Sequence, residues 1–126
     1  MPWLLPVLAW LVLGTAIAAA LLLVNGAAFS AWMSAGPPDP YPQGWALRSL
    51  KQLAWAASTA LGGYAAFRAI REIPALRRTT LALAVAAVAL TIPPCAYEYL
   101  QVDRCLDTGG RWNTSGMQCE HQALAR

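Results

Sequence analysis

The sequence predicts an all-α integral membrane protein in which three transmembrane helices form a bundle and a short, disulfide-closed periplasmic tail follows. Three observations lead to this prediction. Hydrophobic residues make up 58% of the 126 residues and charged residues only 12%, whereas about 25% of the residues in a soluble domain are charged. Long apolar runs without an ionisable residue alternate with short polar or proline-rich segments. The segment after residue 100 is polar and holds two of the three cysteines. We therefore expect lipid to solvate much of the surface.

The first predicted span covers residues 3–24, an almost continuous apolar run, and the first charged side chain is Asp39. About 20 helical residues cross a hydrocarbon core of ~30 Å. A cleaved signal peptide is the alternative, but no lysine or arginine precedes the run, and the run is long for a signal peptide. We expect an uncleaved span. Residues 27–35 either extend this helix or lie in the interface, with Phe29 and Trp32 at headgroup level.

A loop is predicted at residues 36–44, because its four prolines remove amide donors and fix φ. The second span follows at residues 46–67. Its charge-free part begins only at Gln52, which is short for a bilayer. Arg48 and Lys51 are therefore expected to extend their charged groups to the interface.

Small residues dominate the interior of the second span, and small side chains four apart let helix backbones approach closely in lipid. This pattern predicts that the second helix is the central packing element. The alternative interpretation is that alanine is simply abundant in this chain. The predicted packing residues are Ala56, Ser58, Ala60, Gly62 and Gly63.

The third span is predicted at residues 79–97, where Pro93 and Pro94 should terminate or sharply kink the helix. Tyr97 and Tyr99 fit an aromatic belt at that boundary. The chain thus divides into a transmembrane domain, residues 1–100, and a polar tail, residues 101–126.

The segment between the second and third spans carries four basic residues and one acidic residue, and short basic loops stay in the cytoplasm. This predicts a bacterial inner-membrane protein with a cytoplasmic N-terminus and a periplasmic C-terminus. The net charge of +3 does not indicate nucleic-acid binding, which needs basic residues clustered on a wet face with aromatic residues nearby. The loop arginines are Arg68, Arg71, Arg77 and Arg78.

Cys105 and Cys119 flank a polar segment with turn signals at residues 109–110 and 113–116. Such a pair is oxidised in the periplasm, and closing the loop stabilises the tail by about 3 kcal/mol. A zinc site using Cys95 and His121 as well would lack the usual spacing of two to four residues between cysteines. We predict a Cys105–Cys119 disulfide with Trp112 packed over it, no metal site, and Cys95 as a buried, inert thiol.

Catalytic chemistry has little support in the sequence. His121 is the one histidine, no cofactor motif is present, and the predicted membrane interior lacks the ionisable groups that transporters use. The sequence is also compatible with a groove between helices that binds a lipid or another hydrophobic ligand. We predict a protein that is not an enzyme, needs no cofactor and binds another protein. Tryptophan and arginine are enriched in binding hot spots, so the partner-binding candidates are Arg111, Trp112 and Asn113.

The tail also resembles a known pattern, C-L-D-x-G-G-x-W-[ND]…C-E, found in small proteobacterial membrane proteins and lipoproteins. Some of these look like immunity proteins encoded beside secreted antibacterial toxins. The resemblance covers residues 105–120 and implies a periplasmic disulfide loop and a role in neutralising a membrane- or periplasm-acting toxin. The alternative is an accessory or assembly subunit of a larger membrane complex. The matching residues are Cys105, Leu106, Asp107, Gly109, Gly110, Trp112, Asn113, Cys119 and Glu120.

Overall fold

The computed structural model describes residues 3–36 and 42–121. It contains three α-helices followed by a two-stranded antiparallel hairpin. α2 packs against both α1 and α3, and no contact of similar extent joins α1 to α3 in the described ranges. The predictions of an all-helical body and of a central second helix are confirmed. The elements are α1 (Leu4–Ala35), α2 (Pro42–Glu72), α3 (Arg78–Asp107), β1 (Arg111–Asn113) and β2 (Gln118–Glu120).

Two of the helices, α1 and α3, are long and apolar enough to cross a membrane, whereas α2 does not meet the same criterion of composition. α1 runs past Asn25 and Gly26 to Ala35, so residues 27–35 extend the first helix. Gly26 suits this position because a β-carbon there would lie 2.8 Å from Nε2 of Gln52. α2 begins at Pro42, where a proline is tolerated because the first helical amides have no partner inside the helix. The predicted loop at residues 36–44 is too long, because residues 42–44 belong to α2; its residues 37–41 lie outside the described residues.

Pro93 and Pro94 were predicted to terminate or sharply kink the third helix, and termination is wrong, because α3 continues through both to Asp107. Contacts with α2 hold the helix on either side of the prolines. Before them, the Ser58 hydroxyl donates to the Ala87 carbonyl over 2.7 Å. After them, Glu98 forms an ion pair with Lys51. The first residues of the predicted polar tail therefore belong to α3.

The interior of the bundle is built from small side chains. In the part of the chain that the structure describes, the buried hydrophobic residues are alanines and one cysteine. Large apolar side chains point outward instead, such as Leu22 at 73% exposure and Val85 at 68%. A soluble domain buries leucine, isoleucine, valine and phenylalanine, so this distribution is the reverse of a water-solvated fold. The buried hydrophobic residues are Ala9, Ala27, Ala56, Ala65, Ala87 and Cys105.

α1 and α2 approach each other closely at Gly63, where a β-carbon would collide with Ala16. Gly62 faces α3 with ordinary space, because its β-carbon would lie 3.7 Å from that of Ala87. Ala56 is buried and Ser58 bonds to α3, whereas Ala60 is exposed. Four of the five predicted packing residues are thus buried or contact a neighbouring helix, and Ala60 faces outward.

Two hydrogen bonds join the C-terminal part of α1 to the N-terminal part of α2. The Ser49 hydroxyl donates to the Ala27 carbonyl over 2.9 Å, and the Ser30 hydroxyl donates to Oε1 of Gln52 over 3.0 Å. Ser30 and Ser49 are both buried. Interhelical bonds of this kind supplement the packing of small residues in membrane bundles.

Candidate functional site

The disulfide ties the hairpin to the end of α3. Cys105 lies in the last turn of the helix and Cys119 in β2, and their Cα atoms are 5.5 Å apart, inside the range of about 4.4–6.8 Å that a disulfide permits. The predicted pairing is confirmed. The expectation of a buried Cys95 is wrong, because the continued helix leaves its free thiol exposed.

Two glycines let the chain leave α3 and return along the disulfide. Gly109 adopts φ 72°, a left-handed conformation that glycine adopts at little cost and that ends a helix. The next amide, that of Gly110, donates to the Cys105 carbonyl over 2.9 Å. A β-carbon on Gly110 would lie 3.1 Å from Sγ of Cys105 and closer still to Sγ of Cys119. This turn therefore requires glycine at both positions.

Asn113 holds the hairpin turn. Its Oδ1 accepts from the amides of Ser115 at 2.9 Å and Gly116 at 3.1 Å, and its Nδ2 donates to Oε1 of Glu120 at 2.5 Å. A side-chain oxygen that accepts the amides two and three residues on stabilises a turn locally. The polar atoms of the Asn113 side chain are thus used in hydrogen bonds within the hairpin, whereas Asn113 had been predicted to contact a partner.

Trp112 lies opposite Cys119 in the strand register, so the two side chains project from the same face of the hairpin. Its ring is half-buried, and its Nε1 is buried without a hydrogen-bond partner among the described residues.

Arg111 precedes Trp112 and is exposed. Its side chain lines a polar hollow of about 350 Å³ on the hairpin surface. The structure therefore brings the three predicted partner-binding residues to one surface, on which Arg111 supplies the outward charge. The hollow is lined by Arg111, Trp112, Asn113, Thr114, Ser115 and Glu120.

The hairpin also docks on the start of α2. Gly44 and Gly116 are both buried, and a β-carbon on Gly44 would collide with the Gly116 carbonyl. The next residue, Met117, has φ 48°, a left-handed conformation that is unfavourable for a side chain of this size. The hairpin is therefore held both covalently, by the disulfide, and by close packing against α2.

Glu72 organises the connection between α2 and α3. One carboxylate oxygen accepts from Thr80 Oγ1 at 2.7 Å and from the Arg77 amide at 3.1 Å, and the other accepts from Arg68 Nη2 at 2.7 Å. The Thr80 hydroxyl, the Arg77 amide and the Arg68 guanidinium lower the pKa of Glu72 to about 2. The loop's one acidic residue thus neutralises Arg68.

Replacing Glu72 with glutamine should destabilise the protein at neutral pH. Because the folded-state pKa of Glu72 lies below its ordinary value of 4.5, its carboxylate stabilises the fold above pH 4.5, and this contribution is lost as pH falls towards 2. The difference in melting temperature between wild type and Glu72→Gln, followed by circular dichroism in detergent, should shrink over that window. Asp103→Asn, at an exposed carboxylate, is the control. A difference that is equal at pH 7 and pH 2 would contradict this account.

Aromatic clusters lie at both ends of the α1–α2 pair, each with an arginine. At the loop end, the Phe67 ring is 5.1 Å from Trp10 and 6.5 Å from Tyr64, and Arg71 lies 5.6 Å above it. We call these residues the loop-end cluster. Its aromatic members were not among the predicted site residues.

The opposite cluster, the hairpin-end cluster, joins the last part of α1 to the start of α2. Phe29 is 6.2 Å from both Trp32 and Trp45, and Arg48 lies 5.4 Å over the Trp45 ring. Phe29 and Trp32 are the two residues that the sequence places at headgroup level. Trp45, which had no predicted role, contacts Phe29 in the same cluster. Phe29 follows Trp10 by nineteen residues, which is about 28 Å at helical rise.

An open groove lies between α2 and α3 near the hairpin. Lys51 and Glu98 form an ion pair in it, with side-chain exposures of 32% and 30%. The expectation that Lys51 simply extends to the interface missed this pairing, and no role had been predicted for Glu98. The groove measures about 470 Å³, and its other lining residues are Leu47, Leu50, Ala54, Pro93, Pro94, Tyr97 and Met117.

Within residues 3–36 and 42–121, no three histidine, cysteine or acidic side chains lie together as a metal site would require. No family model, curated protein or solved structure matches the chain. The resemblance of the tail therefore stays a prediction, and the function has to be argued from the geometry.

Proposed function

We propose that this chain is a three-span inner-membrane protein that binds another protein through its C-terminal hairpin and has no active site of its own. The observation that carries the proposal is the hairpin itself. It is bonded to α3 through Cys105–Cys119, packed on α2 at Gly44, and presents exposed Arg111 beside a polar hollow. Rigid elements that present arginine and tryptophan have the composition of binding hot spots.

The spacing of the aromatic clusters supports three spans. Trp10 and Phe29 lie about 28 Å apart along α1, close to the ~30 Å of a hydrocarbon core. α2 is less apolar, but its Trp45 and Phe67 contact the same two clusters, so it crosses the same thickness. Aromatic rings and arginine stems at both ends are typical of membrane interfaces.

The distribution of unpaired charge supports the orientation. Among the described residues, one of the four arginines between Arg68 and Arg78 is paired with a carboxylate, Arg68 with Glu72, so the loop end keeps a net positive charge. At the hairpin end Lys51 is paired with Glu98. Positive charge is retained in the cytoplasm, so the loop end is cytoplasmic. The disulfide then lies on the periplasmic side, where disulfides persist.

Reporter fusions test this topology. Alkaline phosphatase fused after Arg126 should be active, and a fluorescent protein at the same site should be dark, because the fusion point is periplasmic. A fusion within residues 73–77 should show the opposite pair of signals. Activity patterns reversed at both sites would overturn the orientation together with the oxidised state of the tail.

The tail resemblance and the position of the hairpin favour a periplasm- or membrane-acting antibacterial toxin as the partner, which makes the chain an immunity protein. A second role is favoured by α3, which exposes an apolar hollow of about 360 Å³ to lipid. In that role the chain is an accessory subunit that packs against another membrane helix. This hollow is lined by Ala84, Val85, Val88, Ala89 and Ile92.

Replacing Arg111 with alanine should reduce partner capture at least tenfold, because a hot-spot residue contributes about 2 kcal/mol or more. The measurement is the amount of protein that co-purifies with the tagged chain from detergent-solubilised native membranes. Arg104→Ala removes an exposed arginine from the end of α3 and should leave capture unchanged. If both variants capture as wild type does, the hairpin is not the binding surface.

The same experiment separates the two roles. A secreted toxin among the co-purified proteins supports immunity, and a resident membrane subunit supports the accessory role. Val88→Trp fills the hollow on α3, so it should displace a membrane subunit and leave a toxin bound to the hairpin.

A further inference from the structure

The Lys51–Glu98 pair lies on the hydrocarbon side of the hairpin-end cluster. Lys51 follows Trp45 by six residues, which places it about 9 Å deeper along α2. Both side chains are about a third exposed. Charged groups at such depth are costly in a membrane and mark functional positions.

The groove around the pair has the shape of a binding site rather than of a packing defect. Its walls are apolar, formed by residues such as Leu50 and Ala54 on α2 and Pro93 on α3. Met117 of the hairpin lines it in a left-handed conformation, and unfavourable backbone conformations of this kind cluster at ligand sites. The groove therefore offers an apolar channel with one positive and one negative group.

We propose that this groove binds one phospholipid whose headgroup carries both a phosphate and a primary ammonium. This inference rests on the membrane insertion proposed above. The phosphate would face the Lys51 ammonium, the headgroup ammonium would face the Glu98 carboxylate, and an acyl chain would follow Leu50 and Ala54. Four alternating charges leave no net charge in the groove, and both contacts are charge-assisted hydrogen bonds.

Other common headgroups match this pair less well. A quaternary ammonium has no N–H to donate to Glu98. A headgroup with a phosphate and no cation satisfies Lys51 but leaves the Glu98 carboxylate near a second negative charge, which is repulsive. The site is therefore selective for the aminophospholipid among lipids with identical acyl chains.

Native mass spectrometry of the full chain in mild detergent tests this selectivity. The probes are phosphatidylethanolamine, phosphatidylcholine and phosphatidylglycerol, each with palmitoyl and oleoyl chains. One phosphatidylethanolamine should bind about tenfold more tightly than either competitor, the difference expected for one charge-assisted hydrogen bond. Equal binding of the three lipids, or preference for phosphatidylglycerol or phosphatidylcholine, would overturn the proposal.

The double variant Lys51→Met, Glu98→Met should lose the preference while keeping the apolar groove. Replacing both partners avoids leaving one charge unpaired, which would destabilise the fold. Arg48→Gln is the matched control, because Arg48 lies over Trp45 and does not line the groove. A preference that persists in the double variant would also overturn the proposal. The comparison of lipids on wild-type protein stands even where the variant does not fold.

Membrane insertion is measured separately, by resistance of the chain to alkaline extraction from native membranes. Extraction with the peripheral proteins would contradict the proposed membrane function and this inference together. A chain that stays in the membrane yet shows no headgroup preference would contradict this inference alone.

Discussion

Replacing Gly63 with alanine should loosen the α1–α2 pair, whereas the same change at the adjacent Gly62 should be tolerated. A β-carbon at Gly63 collides with Ala16 on α1, but at Gly62 it meets Ala87 of α3 at an ordinary 3.7 Å. Overpacking of this kind costs about 1–3 kcal/mol. In lipid, helices associate through close packing rather than a hydrophobic driving force. Moving α1 slightly away from α2 therefore weakens the neighbouring contacts between the two helices.

Unfolding by titration with sodium dodecyl sulfate, followed by tryptophan fluorescence, measures this effect, because the Trp10 ring packs at a tilted angle against Phe67 across the same interface. The midpoint should fall for Gly63→Ala and stay near wild type for Gly62→Ala. Gly14→Ala is a second control, since nothing lies within 4 Å of its added β-carbon and alanine favours helix. Equal midpoints for Gly62→Ala and Gly63→Ala would show that the bundle does not depend on this close approach.

The sequence alone predicted that α2 packs centrally, because the frequency of small residues is a local property. It could not separate Gly63 from Gly62, or recognise that Ala60 faces outward. The rotation of a helix about its axis is set by its neighbours, and small residues here occur on every side of α2. The pattern therefore identified the packing helix without its contact face.

The prolines of α3 show a second limit. Pro93 and Pro94 each remove an amide, and local chemistry predicts a break. The hydrogen bond from Ser58 and the ion pair with Lys51 fix the helix on both sides, and such tertiary contacts are invisible in a local reading. The same error hid Glu98, because a helix that ends at the prolines does not carry Glu98 back to α2.

The tail was predicted more fully than the bundle. Its disulfide closes a short segment, and its glycines and Asn113 are turn signals at fixed positions, so few alternatives were open. The two short strands were not predicted, because three residues are too few for a periodic pattern. Asn113 was assigned to partner binding because it follows Arg111 and Trp112. Its side-chain oxygen instead accepts hydrogen bonds from two backbone amides of the turn.

Replacing Cys105 and Cys119 together with serine should release the hairpin from α3 and abolish partner capture while the three helices remain inserted. The disulfide closes a loop with a sequence separation of 14, and a loop of this length contributes about 3 kcal/mol to the stability of the closed segment. Without it, the hairpin keeps only non-covalent support: the pairing of two three-residue strands, their contacts with α3 and the contact of Gly116 with Gly44. A two-stranded hairpin is at best marginally stable alone.

Hydrogen exchange of the hairpin amides measures the release directly, and alkaline extraction confirms that the bundle stays in the membrane. Cys95→Ser should change neither, because that thiol is free and exposed. Gly110→Ala is an independent way to disturb the same attachment, since its β-carbon crowds both sulfurs while both cysteines remain in the chain. Amides that stay protected in the double serine variant would show that docking on α2 is sufficient to hold the hairpin. If capture is lost in both the serine and the alanine variants, with the helices still inserted, partner binding requires a hairpin held in one position, and Arg111 acts through that position as well as through its charge.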